Sequence, residues 1–281
     1  MEPRLAGFEI RPLTNVVGAE AMGVDLAAAL EEPTVQALRQ AWLDAGVLVF
    51  RDQHLDADQF LEVARAFGEP MEYPFLTGLE GHPMITEVVK LEHETVNFGG
   101  VWHADTTYLP APPMATLLLA RETPDVGGDT LFASQVAAYD ALPTSMKARL
   151  SGLRAVNSST KAEVSRTRED RLRDHARSGM AETYEAVHPV VREHPETGLL
   201  SLFVNPAHTV RFEGMGEDES ADLLADLFAH QVRPEFTCRV HWSPGTLAIW
   251  DNRSLLHFPI NDYDGQRRVM HRITLAGEVP V

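Results

Sequence analysis

Apolar residues recur along this chain with two periods. In residues 31–46, EEPTVQALRQAWLDAG, the residues Val35, Leu38, Trp42 and Leu43 fall on one face, with Pro33 near the start and Gly46 at the end. That pattern predicts an amphipathic helix. Residues 56–68, DADQFLEVARAFG, repeat it and again stop at glycine. Between them VLVFRD reads as a buried strand. Beyond residue 80 the period shortens: MITEVVKL (84–91), MATLLLARE (114–122), DTLFAS (129–134), LLSLFVN (199–205), FTCRVHW (236–242), TLAIWDN (246–252) and RRVMHRITLAG (267–277) read as short strands separated by Gly, Pro and Asp turns. Helices interrupt rather than alternate with them: Ser134 is placed to cap QVAAYDAL, and residues 218–232 form another amphipathic segment.

Strands without a regular βαβ rhythm predict a mainly β fold with flanking helices, a jelly roll or sandwich rather than a parallel α/β sheet. At 281 residues the chain fits a single domain, 1–281. The most charged stretch, residues 165–186, has few large apolar residues and interrupts the β pattern. Two readings apply to it: a solvated surface segment, or a lid over a site.

Composition narrows the partners. With 41 Asp plus Glu against 24 Lys plus Arg, the formal charge is −17, a field that repels phosphate backbones and anionic membrane surfaces. Nucleic acid and membrane are therefore not expected as partners. A small anionic ligand is still compatible, provided that a few arginines are concentrated in its pocket. Cys238 is the sole cysteine, which excludes an internal disulfide and a thiolate-rich metal site; it reads as a small buried apolar side chain. The start lacks a basic n-region followed by an apolar core, and no run approaches the roughly 18 apolar residues of a membrane span. A soluble, cytoplasmic protein is expected, as is a homo-oligomer.

Against this background VWHADTTYL, residues 101–109, stands out. It sets His103 and Asp105 two apart between aromatics. Alone, a His-x-Asp pair is more often structural than metal-binding. A third ligand changes that balance, because a catalytic non-haem iron uses two His and one carboxylate and leaves positions free for substrate and O2. WDNRSLLHFPINDYDGQRRVMHR (250–272) supplies His257 after a strand-like segment, followed by three arginines. On a strand, Arg268, Met270 and Arg272 point to one face and Arg267, Val269 and His271 to the other. Two inward arginines require anions, since an unpaired buried charge costs several kcal/mol, on the order of a ligand's binding energy. The anions would be a dicarboxylate cosubstrate and an anionic substrate, or else acids of the chain itself.

These residues carry a resemblance. WHADTTY, PPMATLLLA, GGDTLFAS, AAYDALP, HPVVREHPETGLLSLFVN and WDNRSLLH…DYDGQRRVMHRITLAG, with IRPLTNVVGAEAMGVDL at 10–26, are similar to the Fe(II)/2-oxoglutarate-dependent dioxygenases of the taurine dioxygenase and dichlorophenoxyacetate dioxygenase (TauD/TfdA) family over nearly the whole chain. The resemblance implies a cupin-like double-stranded β-helix with His103, Asp105 and His257 as iron ligands. It places Arg268 and Thr130 on the distal carboxylate of 2-oxoglutarate and Arg272 near the acidic group of the substrate. The implied reaction uses Fe(II), 2-oxoglutarate and O2, releases succinate and CO2, and oxidises a C–H bond of a small organic anion such as a sulfonate, sulfate ester, aryloxyalkanoate or phosphonate.

The chain departs from the taurine-specific members in two places. Tyr73 stands where they carry a histidine, and Gly99 where they carry an asparagine, with Asn97 close by; taurine itself is not the expected substrate. Tyr73, Phe75, Asn97, Tyr108 and Phe203 are candidates to line the substrate pocket, and His82, His93, His188, His194 and His208 candidates for its polar wall. A second class of function is a cupin-like barrel that binds a metal and a small anion without oxidation, as a binding protein or an isomerase or lyase. Thr130 and Arg268 discriminate against it, since they answer a need for 2-oxoglutarate.

Overall fold

The computed structural model describes residues 7–97, 99–161 and 183–281. The lid reading of 165–186 lies outside the described residues up to 182. Its last residues enter a strand.

The N-terminal hairpin pairs β1 (Glu9–Pro12) with β2 (Ala19–Met22). Helix α1 (Glu32–Ala45) follows, with proline in its first turn and Gly46 at φ 73° ending it, and leads into β3 (Val47–Phe50). Helix α2 (Ala57–Phe67) begins with a reciprocal capping box: Asp56 accepts from the Gln59 amide and the Gln59 side chain accepts from the Asp56 amide. After the two-residue β4 (Pro70–Met71) come β5 (Ile85–Lys90), β6 (Ala115–Glu122) and β7 (Thr130–Ser134). Helix α3 (Gln135–Asp140) is capped by the Ser134 hydroxyl, and α4 (Thr144–Leu150) follows. The remaining elements are β8 (Arg154–Ser158), β9 (Glu185–Pro189), β10 (Val191–Glu193), β11 (Leu200–Leu202), β12 (Thr209–Phe212), α5 (Glu217–His230), β13 (Thr237–Val240), β14 (Leu247–Asp251), β15 (Leu255–Pro259) and β16 (Arg268–Leu275).

The largest sheet runs β1-β2-β3-β14-β6-β16-β4, with β5 also on β16; a smaller one runs β13-β7-β15. Two further small sheets, β12-β8-β9 and β10-β11, lie among the described residues. The runs Val47–Phe50 of β3, Leu117–Ala120 of β6 and Leu247–Trp250 of β14 are apolar without interruption because both faces of the large sheet are covered. Their alternation divides the core. Leu48, Phe50, Leu117, Leu119, Leu247 and Ile249 pack with Leu38 and Trp42 of α1 and Phe60 and Phe67 of α2. Val47, Val49, Leu118, Ala120, Ala248 and Trp250 instead meet Phe132, Cys238, Val240 and Leu255 of the smaller sheet. Opposed sheets with one interior and helices outside form the expected jelly roll. Cys238 is buried there, its thiol pushed up to about 12 by desolvation.

His257 follows strand β14, as the sequence suggests, and itself lies within the next strand, β15. Of the two histidines in HPVVREHP, His188 sits inside β9, opposite Ala155, and His194 marks a turn, accepting from the Glu196 and Thr197 amides. No helix among the described residues is long and apolar enough to cross a membrane.

Candidate active site

His103 and His257 face each other across an isolated antiparallel bridge. The His103 amide donates to the His257 carbonyl (3.1 Å) and the His257 amide to the His103 carbonyl (2.8 Å). Directly opposed residues project to the same side, so the bridge brings the two ring centroids to 4.0 Å. The chain then turns at Thr106, whose φ of 43° is rare for a β-branched residue. Asp105 Oδ1 lies 3.7 Å from His103 Nε2 and 3.9 Å from His257 Nε2. One ligand atom from each residue falls within 4.8 Å of the others, and all three residues are buried.

Each donor is aimed by a neighbour. His103 Nδ1 donates to the Val101 carbonyl at 2.7 Å, which leaves Nε2 as the lone-pair nitrogen. Asp105 Oδ2 accepts from Thr116 Oγ1 at 2.6 Å and Asn252 Nδ2 at 3.3 Å, and meets Arg272 Nη2 at 3.0 Å. Its other oxygen, Oδ1, is thereby left toward the imidazoles. Asn252 is held in turn: its Oδ1 accepts from Trp250 Nε1 at 3.1 Å and from the Asp105 amide at 3.3 Å. Behind it, Asp251 is clasped by Arg253 through Nε (2.8 Å) and Nη2 (2.7 Å) and by His194 Nε2 (3.0 Å). The sequence reading missed Thr116 and Asn252. The WDN triplet was visible, but nothing in the chain order tied it to Asp105.

Protonation suits metal binding. Burial alone would raise the Asp105 carboxyl, but the Arg272 guanidinium, the two imidazoles and the Thr116 hydroxyl together hold it well below the usual carboxylate range. Burial first, and then His103, push the His257 imidazole well below its ordinary value. Two imidazoles and one carboxylate in a facial cluster are the donor set that suits Fe(II) and leaves coordination positions open.

These three residues share a cavity with Thr130, Arg268 and Arg272, walled by Val88, Leu118, Trp250 and Pro259. Thr130 Oγ1 accepts from Trp242 Nε1 at 3.0 Å, so its own proton is available to an incoming acceptor. Arg268 is 6% exposed, and its Nε and Nη2 are buried without a hydrogen-bond partner among the described residues. A carboxylate entering the cavity satisfies both groups. Arg272 is only half committed: its contact with Asp105 is too poorly aligned to be a hydrogen bond, and Nε and Nη2 keep unused donors. Its guanidinium carbon stands 4.5 Å from the centroid of the Tyr73 ring. Tyr73 continues edge-to-face into Phe75 (5.5 Å) and Phe75 into Tyr108 (5.6 Å).

Other candidates lie elsewhere. Asn97 Nδ2 donates to the Pro259 carbonyl at 3.0 Å, on the cavity wall, with Oδ1 buried and unpartnered. Phe203 does not line this cavity; it packs against His188 (5.7 Å) and the Arg192 guanidinium (4.8 Å), a structural contact. Gly99 has φ 76°, and a Cβ there would stand 2.8 Å from His103 Cε1, so no side chain fits at that position. His82 pairs with Asp58, Arg267 with Glu122 and His271 with Glu87, while His93 is exposed.

His208 is the additional buried histidine beside the triad, 6.3 Å from His103 and 4.9 Å from Tyr108 between ring centroids. Asn205 Nδ2 donates to Thr107 Oγ1, which is hydrogen-bonded to His208 Nδ1 at 3.0 Å. Burial pushes His208 down from 6.5 to about 3. An unfolded chain takes up this proton across that window and the folded one does not. The metal-free protein should therefore lose stability as pH falls from 6.5 toward 3, by up to about 1.4 kcal/mol per pH unit from this group. Denaturant unfolding at several pH values checks it: His208→Asn flattens the slope, and a parallel slope in the variant refutes the assignment.

Residues 9–274 match the family described as taurine catabolism dioxygenase TauD, TfdA family. The chain is 37% identical over 279 residues to an alkylsulfatase of Acinetobacter baylyi, covering 97% of this chain and 86% of that protein. It is 35% identical over 287 residues to an alpha-ketoglutarate-dependent sulfate ester dioxygenase of Pseudomonas putida, covering 99% and 93%. A crystal structure of a taurine dioxygenase from Burkholderia xenovorans superposes with a TM-score of 0.82 at 33% identity, covering 98% of this chain and 93% of that one.

Proposed function

From the premise that this chain belongs to the TauD/TfdA family and is an α-ketoglutarate (2-oxoglutarate)-dependent dioxygenase, we propose that it hydroxylates a C–H bond of a small organic anion, with alkyl sulfate esters as the leading class. The observation that carries the reading is the cavity where His103, Asp105 and His257 meet Arg268, Thr130 and Arg272. The names and coverage of the two bacterial relatives support the sulfate-ester class. The non-oxidative cupin reading is set aside, because the family and the relatives that match nearly the whole chain are 2-oxoglutarate-dependent dioxygenases.

His103 Nε2, His257 Nε2 and Asp105 Oδ1 would hold the iron. Fe(II) bound there supplies the coupling of O2 reduction to oxidative decarboxylation of the 2-oxo acid, with succinate and CO2 released as the substrate C–H bond is oxidised. The chain's own residues do the positioning. Arg268 and Thr130 grip the distal carboxylate, where a guanidinium fixes orientation as an ammonium does not. Thr116 and Asn252 hold Asp105 Oδ2 so that the carboxylate cannot rotate. Arg272 takes the substrate's acidic group with its unused donors, and Tyr73, Phe75 and Tyr108 pack on the apolar part. Hydroxylation of a carbon bearing a sulfate ester gives an unstable adduct that collapses to an aldehyde and inorganic sulfate, so sulfate and succinate should appear one to one.

An alkyl sulfate and an isosteric neutral analogue, tested on wild type and Arg272→Ala, provide the check. The anion should be strongly preferred by wild type, with the preference collapsing in the variant. A wild type indifferent to the charge would mean that Arg272 serves Asp105 alone. We place the enzyme in the cytoplasm as a homo-oligomer, which light scattering of the purified protein tests.

A further inference from the structure

Beside the end of the cavity lined by Arg268 lies a second buried cation, Lys90. β5 and β16 pair antiparallel with Lys90 opposite Arg268, Val88 opposite Met270 and Thr86 opposite Arg272. Paired residues project to the same face, so Lys90 shares the inward face of Arg268 and Arg272, from which Val88 also reaches the cavity. Lys90 is 2% exposed. Its ammonium donates to the Tyr263 carbonyl at 3.3 Å and stands 4.2 Å from the centroid of the Tyr263 ring. It forms no ion pair among the described residues, and neither does Arg268. Gly128 lies beside both Tyr263 and Arg268: a Cβ there would lie 3.4 Å from Tyr263 Cδ1 and 3.5 Å from Arg268 Cδ.

Like charges directly opposed on a ladder repel, and burial removes the water that would screen them. A carbonyl dipole and a ring face offset the ammonium in part, and Asp129, already engaged by Arg239 and His241, offsets Arg268 in part, which does not answer two cations. An anion between them does. We propose that Lys90 is a second cationic contact for the distal carboxylate of the 2-oxo acid, forming a two-cation cradle with Arg268. The inference rests on the reading of Arg268 as the cosubstrate arginine. In this arrangement Tyr263 positions the Lys90 ammonium, and the cradle responds to the distal carboxylate alone, not to the 2-oxo acid head.

Calorimetric titration of the iron-loaded protein under argon tests this without turnover. The ligands are 2-oxoglutarate and pyruvate, which has the same 2-oxo acid head and no distal carboxylate. Lys90→Gln keeps a donor for the Tyr263 carbonyl and removes the charge. It should raise the Kd for 2-oxoglutarate about tenfold or more and leave pyruvate unchanged, while Lys90→Arg recovers most of the loss. Lys90→Met serves in the same way should Lys90→Gln fold poorly. Wild-type affinity for 2-oxoglutarate in Lys90→Gln, alongside weakened affinity in Arg268→Ala, overturns the Lys90 assignment alone. Equal loss for both ligands also overturns it, as a general disturbance of the site. Wild-type affinity in Arg268→Ala shows instead that the cosubstrate arginine has been misplaced.

Discussion

His257→Ala should abolish turnover and leave the secondary structure unchanged. The two effects separate because the bridge to His103 is made by main-chain atoms, so the β15 register survives the loss of the ring. What is lost is one of the three donors clustered around Asp105 Oδ1, and two donors do not hold a catalytic iron against water. The ring also packs on Trp250 and Phe132, with centroids at 4.8 and 6.1 Å, so a modest fall in thermal midpoint accompanies the loss of activity. Metal analysis should give one iron per chain for wild type and a small fraction of that for the variant. Full coupled activity in His257→Ala would sink the assignment of the triad. Asp105→Ala is the gentler change: Thr116, Asn252 and Arg272 then face an opening that an added formate can enter, and partial rescue by formate is the expected sign.

Arg268→Ala should raise the KM for 2-oxoglutarate by roughly two to three orders of magnitude, since removing one partner of a buried charge pair costs about 2–5 kcal/mol. Stability should move the other way. Burial already pulls the Arg268 guanidinium below its ordinary value, and its Nε and Nη2 lack partners. Arg268→Met should therefore leave the cosubstrate-free protein as stable as wild type or more so, because the uncompensated charge is gone. Thr130→Val should weaken the cosubstrate less, by about 1.5–3 kcal/mol for a hydrogen bond to a charged group. It should also destabilise the free protein by stranding Trp242 Nε1, whose partner it removes. Steady-state KM values, read together with unfolding midpoints without ligand, check both signs. An unchanged KM in both variants would relocate the cosubstrate.

The sequence by itself determined the elements with long, regular signals. Helix α1 was bounded by Pro33 and Gly46, and helix α2 was ended by Gly68, because caps act within a few residues of the chain. Strands β6, β14 and β16 were legible as apolar or alternating runs, and the alternation in β16 placed Arg268 and Arg272 on one face before any fold was known. The triad was legible as a set of residues, since His103 and Asp105 are neighbours in the chain and His257 is followed by the arginines. The tertiary structure decided what depends on contacts across many residues. Asn252 reaches Asp105 over a separation of 147 and Thr130 reaches Trp242 over 112, and no local pattern records such pairs. Phe203 has the composition of a pocket wall, yet it packs against His188 and Arg192, because the side of a layer a residue lines is set by sheet packing. Lys90 read as one more residue of an alternating strand. Only the β5–β16 register set it opposite Arg268 in the interior, in a chain whose net charge is −17.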